Sequence, residues 1–273
     1  MSLIIFTSTG CARCKTAKSF LDDKGVSYEE NDIKGDGREA FNLFYRENRP
    51  RIYRGKEGVE FPILFTGEKI IQGVGEILGW LQAGENLKGF IHRSELSHGW
   101  IDGLNISTGT RDFGDDFLTV LRYLKKQGLK IQLEADGRNA DLLEAVIREN
   151  LVDRIIFDLL GTAKIYEAIT GRPLKREELV QSIVLAIQAP DYKFVLTMHP
   201  VKRNDGKLAF ITPEEAAQAA ALVEQTTGNK KHPFFIRALS PSPELDIAPL
   251  PHTALFKYRT ACRRYMVMAE IFK

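Results

Sequence analysis

The chain has 273 residues, of which 44% are hydrophobic and 27% are charged. This length and composition are typical of a globular chain with room for two hydrophobic cores, and they exclude collagen-like, low-complexity and disordered chains. The 38 Lys and Arg residues and 36 Asp and Glu residues leave a net charge of +2, which is too small to indicate nucleic acid as an obligatory partner.

Membrane insertion and secretion are not indicated either. Apolar runs such as residues 3–6 and 155–157 are far shorter than the roughly 20 residues of a membrane-spanning helix. The N-terminus lacks the basic segment and apolar core of a signal peptide. Three cysteines, an odd number, argue against a secreted disulfide framework. We therefore expect a cytoplasmic protein with no membrane association.

Residues 1–82 predict an α/β domain with the order βαβαββα. The predicted strands cover residues 3–7, 26–33, 59–65 and 69–71, and the predicted helices cover residues 15–24, 38–49 and 73–81. The first strand, helix and second strand form a unit of the kind that places its two strands in parallel. Residues 83–96 are predicted to be a linker.

Beyond the linker, residues 97–240 repeat a strand-then-helix pattern. Strands are predicted at residues 100–106, 129–134, 154–159, 194–198 and 234–239, and helices at residues 117–127, 140–150, 176–188 and 213–226. This alternation favours a parallel sheet, either open or rolled into a partial (βα) TIM-like barrel. Residues 241–273 are predicted to form a Pro-rich wrap and a terminal helix over residues 255–271.

Cys11 and Cys14 have the spacing that lets two sulfur atoms meet across one helical turn. Cys11 is predicted to cap the first helix, where unpaired backbone N–H groups and the helix dipole favour a thiolate, and Arg13 and Lys15 add positive charge. We therefore expect Cys11 to attack a disulfide and Cys14 to resolve the mixed disulfide that forms.

A CxxC pair has other uses, which the sequence leaves open. It occurs as half of a zinc site, for which the remaining candidate ligands here are Cys262 and scattered histidines. It can also take part in an iron–sulfur cluster shared between two chains, or arise by chance. The strand–turn–helix context favours thiol chemistry over these alternatives.

Residues 1–82 resemble the glutaredoxin branch of the thioredoxin superfamily. The resemblance rests on the first strand with Cys11 and Cys14, on residues 25–33, on Phe61 and Pro62, and on Gly73 with Glu76. It implies a thioredoxin-like fold, a cis proline at Pro62 beside the cysteines, and substrate binding by the set Arg13, Phe61, Pro62, Gly73 and Glu76. The family's Pro-Tyr between the cysteines is replaced by Ala12-Arg13, and its Gly-Gly by Gln72-Gly73, which puts glutathione binding in question.

Residues 97–240 are similar to the S-adenosylmethionine radical enzymes, especially the activating proteins of anaerobic ribonucleotide reductase. The similarity rests on residues 100–110, 133–137, 152–171 and 195–200. Those enzymes hold a [4Fe–4S] cluster with three cysteines, whereas residues 83–261 contain no cysteine. We therefore expect no iron–sulfur cluster in this region and interpret it as a barrel retained for binding or docking.

Several other side chains are weaker candidates. His98, His199 and His232 share no ligand spacing, so we interpret them as solvent-facing or hydrogen-bonded residues rather than metal ligands. Asp136, Asp158 and His199 fall at predicted strand ends, where a barrel would gather them around a small-ligand pocket. Cys262 is flanked by arginines, which would lower its pKa if it were exposed and allow a transient disulfide with Cys11, but burial is the simpler interpretation.

The leading hypothesis is a thiol–disulfide oxidoreductase that binds no cofactor tightly and acts on a protein disulfide. The resemblances imply a ribonucleotide reductase component as a candidate substrate, with glutathione or thioredoxin reductase as the electron source. The alternative is a non-enzymatic adaptor whose barrel binds a reductase partner or a small ligand. A third hypothesis makes the barrel an enzyme with a new pocket.

Overall fold

A computed structural model describes residues 3–55, 58–91, 100–107, 111–203, 205–239 and 247–272. The packing divides the chain into two compact units, residues 1–132 and 133–273. The domain boundary that the sequence pattern places at residues 83–96 remains a prediction. Among the described helices, none has both the length and the apolar character of a bilayer span.

The first unit contains the elements of the predicted βαβαββα order, a short additional hairpin, and three further elements that follow them. Its strands and helices are β1 (Leu3–Thr7), α1 (Ala12–Asp23), β2 (Tyr28–Asp32), α2 (Arg38–Asn48), β3 (Arg54–Gly55), β4 (Gly58–Val59), β5 (Ile63–Phe65), β6 (Ile70–Gln72), α3 (Val74–Ala83), β7 (Trp100–Asn105), α4 (Gly114–Lys126) and the first half of β8 (Lys130–Ala135), which continues past residue 132 into the second unit.

A four-stranded sheet in the order β2-β1-β5-β6 forms the centre of the N-terminal part. β1 pairs in parallel with β2 and antiparallel with β5, and β5 pairs antiparallel with β6. Phe6 of β1 stacks on Phe44 of α2 with ring centroids 4.6 Å apart, and both belong to a buried cluster with Ile52 and Ile63. The parallel β1–β2 pair agrees with the prediction and places the turn after β1 at one edge of the sheet.

The segment after α3 packs closely on the preceding elements. Ile91 is buried against the glycine face of α3, where a Cβ at Gly79 would lie 2.7 Å from its Cδ1 atom. Tyr123 of α4 donates a hydrogen bond to Asp23 of α1 at 3.0 Å, and its ring contacts Phe20 of α1 edge-on. Within the predicted linker, Leu87, Phe90 and Ile91 are therefore buried, whereas residues 84–86 are exposed. Residues 92–99 lie outside the described residues.

The second unit continues the alternation of strands and helices. Its elements are α5 (Ala140–Arg148), β9 (Arg154–Leu159), α6 (Ala163–Thr170), α7 (Arg176–Ala186), β10 (Tyr192–Met198), β11 (Pro200–Lys202), β12 (Leu208–Phe210), α8 (Pro213–Thr227), β13 (Phe234–Ala238), α9 (Leu255–Cys262) and β14 (Ala269–Ile271).

The second unit is built on a parallel sheet. β10 lies between β9 and β13 and pairs in parallel with both, and β14 extends the sheet in parallel beyond β13. Residues 194–198 of β10 are all buried, as expected for a central strand with both faces covered. Helices alternate with these strands, so the predicted α/β class and the parallel sheet consistent with a partial barrel are confirmed.

The C-terminus differs from the predicted long helix. α9 ends at Cys262, and residues 269–271 form β14 against β13 rather than a further helical turn. The prediction of a helix up to residue 271 was wrong because the free edge of β13 offers backbone partners that local periodicity does not reveal. Residues 241–246 of the predicted Pro-rich wrap lie outside the described residues. α6 and the β11–β12 hairpin were not predicted.

Candidate thiol redox site

Cys11 and Cys14 form a disulfide across the first turn of α1, with their Cα atoms 5.3 Å apart. Cys11 is the N-cap residue, and its Sγ accepts a hydrogen bond from the Cys14 N–H at 3.1 Å. Cys11 is partly exposed whereas Cys14 is 2% exposed. The predicted helix-cap position of Cys11 is therefore confirmed, and Cys11 is the more accessible residue of the pair.

Asp32, at the end of β2, holds the turn that precedes Cys11. Its carboxylate accepts hydrogen bonds from the Thr9 hydroxyl, from the Thr9 N–H at 3.1 Å and from the Lys34 N–H at 2.9 Å. These hydrogen bonds, that of the Thr9 hydroxyl foremost, lower the pKa of Asp32. Asp32 is not among the predicted site residues, although an Asp whose carboxylate can accept from the backbone N–H two residues later is a recognisable turn signal.

Phe61 and Pro62 lie opposite the cysteine pair. The peptide bond between them is cis, as the resemblance implies. The carbonyl oxygen of Phe61 lies 4.0 Å from Cys11 Sγ. The Phe61 ring packs edge-on against Phe41 of α2 at a centroid distance of 5.2 Å, which anchors this peptide to the core.

The other predicted binding residues occupy different positions around the pair. Gly73 has φ +98°, a conformation that favours glycine, and its N–H donates to the Pro62 carbonyl at 2.9 Å. Arg13 follows Cys11 on α1, and its Nη1 is buried without a hydrogen-bond partner among the described residues. Glu76 lies in the first turn of α3. The disulfide, the Phe61 carbonyl and the Gly73 hydrogen bond thus bring Cys11, Cys14, Phe61, Pro62 and Gly73 together.

A separate polar network lies in the second unit. Asp158 of β9 accepts hydrogen bonds from Thr197 at 2.5 Å and from Arg237 at 2.9 Å, and Arg237 also donates to Thr197 at 3.0 Å. Burial raises the pKa of Asp158 to about 6, although Arg237 and Thr197 oppose that shift. This cluster joins neighbouring parallel strands near their carboxyl ends.

The predicted histidines and Asp136 differ in their environments. His232 is buried, and its two ring nitrogens lie 2.8 Å from the hydroxyl oxygens of Tyr192 and Thr227, so the hydrogen-bonded interpretation is confirmed. Burial, aided by Arg237, lowers the pKa of His199 to about 4. Asp136 pairs with Arg138, two residues further along the chain, and its charge contributes to the raised pKa of Asp158. His98 lies outside the described residues.

Comparisons with known proteins find a family similarity in the first part of the chain. Residues 3–71 match the glutaredoxin family model. The N-terminal part of the chain is a glutaredoxin-like domain. The match contains Cys11, Cys14, Phe61 and Pro62, and it ends before Gly73 and Glu76. A search of curated proteins found no significant match.

Two solved structures are similar to parts of the chain. A glutaredoxin from Brucella melitensis has 23% sequence identity, covers 36% of this chain and 95% of its own length, and has a TM-score of 0.24. A domain of pyruvate-formate lyase-activating enzyme from Bacteroides vulgatus ATCC 8482 has 13% identity, covers 62% of this chain and 98% of its own length, and has a TM-score of 0.42.

The cluster of the radical enzymes does not fit the residues of the second region. It requires cysteine thiolates, and residues 83–261 contain no cysteine. Cys262 is buried in α9, and burial raises the pKa of its thiol to about 12. The simpler interpretation of Cys262 as a buried residue is therefore confirmed. Within the described ranges, no group of three or more His, Cys, Asp and Glu residues is arranged to hold a metal ion.

Proposed function

We propose that this protein is a thiol–disulfide oxidoreductase in which Cys11 is the nucleophile and Cys14 the resolving thiol. The observation that carries the proposal is the position of Cys11. It is partly exposed at the N-terminus of α1, its sulfur accepts a helix N–H, and it is bonded to a buried Cys14 one turn away. A helix N-terminus stabilises a thiolate, which is the nucleophile in disulfide exchange.

The reaction transfers two electrons in two exchange steps. The Cys11 thiolate attacks a substrate disulfide, forms a mixed disulfide and releases the first substrate thiolate. The Cys14 thiolate then attacks Cys11 Sγ, which releases the second substrate thiolate and leaves the Cys11–Cys14 disulfide seen in the structure. An external thiol reductant, either glutathione or thioredoxin reductase, must return two electrons to complete the cycle.

We assign substrate binding to the residues around the pair. Pro62 has no N–H, and the adjoining Phe61 carbonyl lies near Cys11 Sγ, so this edge is available to an extended peptide. Arg13 contributes positive charge beside Cys11, and Gly73 and Glu76 stand at the start of α3. A protein disulfide, such as one in a ribonucleotide reductase component, is the proposed substrate.

Cysteine variants test the mechanism. The reduced protein is mixed with a disulfide-containing peptide, and the release of peptide thiol is followed. Cys11→Ser is expected to abolish exchange, because no other accessible thiol lies in the described part of the chain. Cys14→Ser is expected to retain the first step and to accumulate a mixed disulfide, detected as a mass increase. The control, Cys262→Ala, should keep the wild-type rate, and wild-type exchange by Cys11→Ser would contradict the proposal.

A second proposal concerns residues 133–273, for which we infer binding of a partner or a small ligand. The region retains its parallel sheet without thiolates for a cluster. It also has a cleft of about 680 Å³ whose lining includes Lys164, Arg176 and Arg264 against one acidic residue, Glu214. This charge balance favours an acidic surface or anionic ligand.

Charge reversal in the cleft tests this role. The full chain is titrated with the catalytic subunit of an anaerobic ribonucleotide reductase. The Arg176→Glu and Arg264→Glu double variant should weaken binding, whereas the Cys11→Ser and Cys14→Ser double variant should leave it unchanged. Equal binding by the charge-reversed protein and the wild type would contradict the use of this cleft.

A further inference from the structure

Gln72, the last residue of β6, has a side chain amide that is 1% exposed. Its Oε1 accepts a hydrogen bond from the Tyr53 N–H at 2.9 Å. Its Nε2 donates to the Tyr53 carbonyl at 3.0 Å and to the Glu60 carbonyl at 2.9 Å. One side chain therefore satisfies three backbone groups of the segment that leads into the redox site, and each would be costly to leave unpaired at a buried position.

These hydrogen bonds act on the residue next to Phe61. The Gln72 side chain donates a hydrogen bond to the Glu60 carbonyl, and the neighbouring Gly73 N–H donates to the Pro62 carbonyl at 2.9 Å. Two consecutive residues of the β6–α3 junction thus hold the residues on both sides of Phe61. The Phe61 carbonyl, between these two attachments, is the group that lies 4.0 Å from Cys11 Sγ.

We propose that Gln72 is a positioning residue that sets residues 60–62 at the correct distance from Cys11 to receive a disulfide carried by an extended peptide. This role rests on the proposed function of the cysteine pair. An extended peptide must align its backbone along the edge at Phe61 as well as present its sulfur. A small disulfide needs only access to Cys11, so displacement of residues 60–62 affects it much less.

Two substitutions separate the contributions of the amide. Gln72→Leu has similar bulk and removes all three hydrogen bonds. Gln72→Glu keeps an acceptor for the Tyr53 N–H but has no donor for the Glu60 carbonyl. Gln82→Leu is the control, because Gln82 lies in α3 with its side chain amide bonded to Lys24 and Asp116 instead of the redox segment.

The full-length variants are assayed with a disulfide peptide and with 2-hydroxyethyl disulfide. For both Gln72 variants we expect kcat/KM for the peptide, relative to that for the small disulfide, to fall about tenfold, mainly through KM, as for the loss of one well-placed hydrogen bond. The redox potential of the Cys11–Cys14 pair should not change, since α1 is not altered. Gln82→Leu should keep the wild-type ratio.

Hydrogen exchange at the Tyr53 amide shows whether the contact itself has been removed. That amide should lose protection in Gln72→Leu and keep it in Gln72→Glu. If Gln72→Leu does not fold, Gln72→Glu alone decides the question. An unchanged peptide-to-small-disulfide ratio in a folded Gln72 variant would overturn the positioning role while leaving the proposed function intact. A wild-type protein that exchanges with neither disulfide would overturn the proposed function and this role together.

Discussion

Asp158 shows how strongly burial controls a single charge in this protein. Its carboxylate has a guanidinium and a hydroxyl as partners, yet its pKa is raised to about 6 because the desolvation cost exceeds those favourable contacts. The folded protein therefore binds this proton more tightly than the unfolded chain, whose pKa is near the ordinary value of 3.8. The stability that results is fully present below that value and is lost as the pH rises through about 6.

Replacement of Asp158 by Asn should remove this pH dependence. We expect the urea midpoint of Asp158→Asn, relative to the wild type, to rise between about pH 4 and about pH 7.5 because the neutral amide avoids the cost of ionisation. Asp191→Asn, at an exposed carboxylate, corrects for the change in net charge. A difference between Asp158→Asn and wild type that stays constant across this pH range would contradict the raised pKa.

At the level of elements, the turn between β2 and α2 brings the backbone of Gly37 so close to that of β2 that there is no space for a side chain at residue 37. Gly37 caps α2, and a Cβ at this position would lie 2.4 Å from the carbonyl carbon of Asn31. The approach matters for the redox site because the next residue of β2, Asp32, holds the turn that precedes Cys11. Gly35 in the same turn has more room, since the nearest atom to its Cβ would be the Asp32 carbonyl oxygen at 3.7 Å.

The two glycines therefore predict different effects of the same substitution. Gly37→Ala must move α2 away from β2 and should lower the free energy of unfolding by about 1 to 3 kcal/mol. Gly35→Ala should change it by less than about 0.5 kcal/mol. Urea denaturation of the two variants checks this, and equal midpoints would show that the turn can shift without cost.

At the level of the whole molecule, the packing around the redox site continues beyond the residues that match the glutaredoxin family. Residues 3–71 match the family, but α3 packs its Gly75 and Gly79 face on Ile91. Ile91 is 9% exposed, and Leu87 and Phe90 beside it are also buried. The stability of the redox site therefore depends on residues that lie beyond the match.

Truncation of Ile91 should accordingly destabilise the redox domain itself. We expect Ile91→Ala to lower the free energy of unfolding by about 2 to 4 kcal/mol because it leaves a cavity against α3. Leu43→Ala on α2, where the side chain is 58% exposed, should change it by less than about 0.5 kcal/mol. Hydrogen exchange resolved by segment should show faster opening of α1 and α3 in Ile91→Ala, and unchanged exchange there would contradict this coupling.

The sequence alone determined the features that depend on neighbouring residues. The β1–α1–β2 order, the cap position of Cys11 and the alternation of strands and helices after residue 97 all follow from spacings of a few residues. Helix capping and hydrophobic periodicity act over about one to three turns, so a single sequence contains them. The burial of Cys262 within α9 was also the simpler interpretation.

Only the tertiary structure decided which distant residues meet. Gln72 bonds to Tyr53, Asp32 to Thr9, and Asp158 to Arg237, which is 79 residues away. In the sequence, Gln72 is only a departure from a family motif. The local pattern likewise predicts a helix over the residues that form β14 beside β13. The physical reason is that the chemistry of an amide or a strand edge fixes how many hydrogen bonds it needs. Which distant residues form those hydrogen bonds depends on how the chain folds.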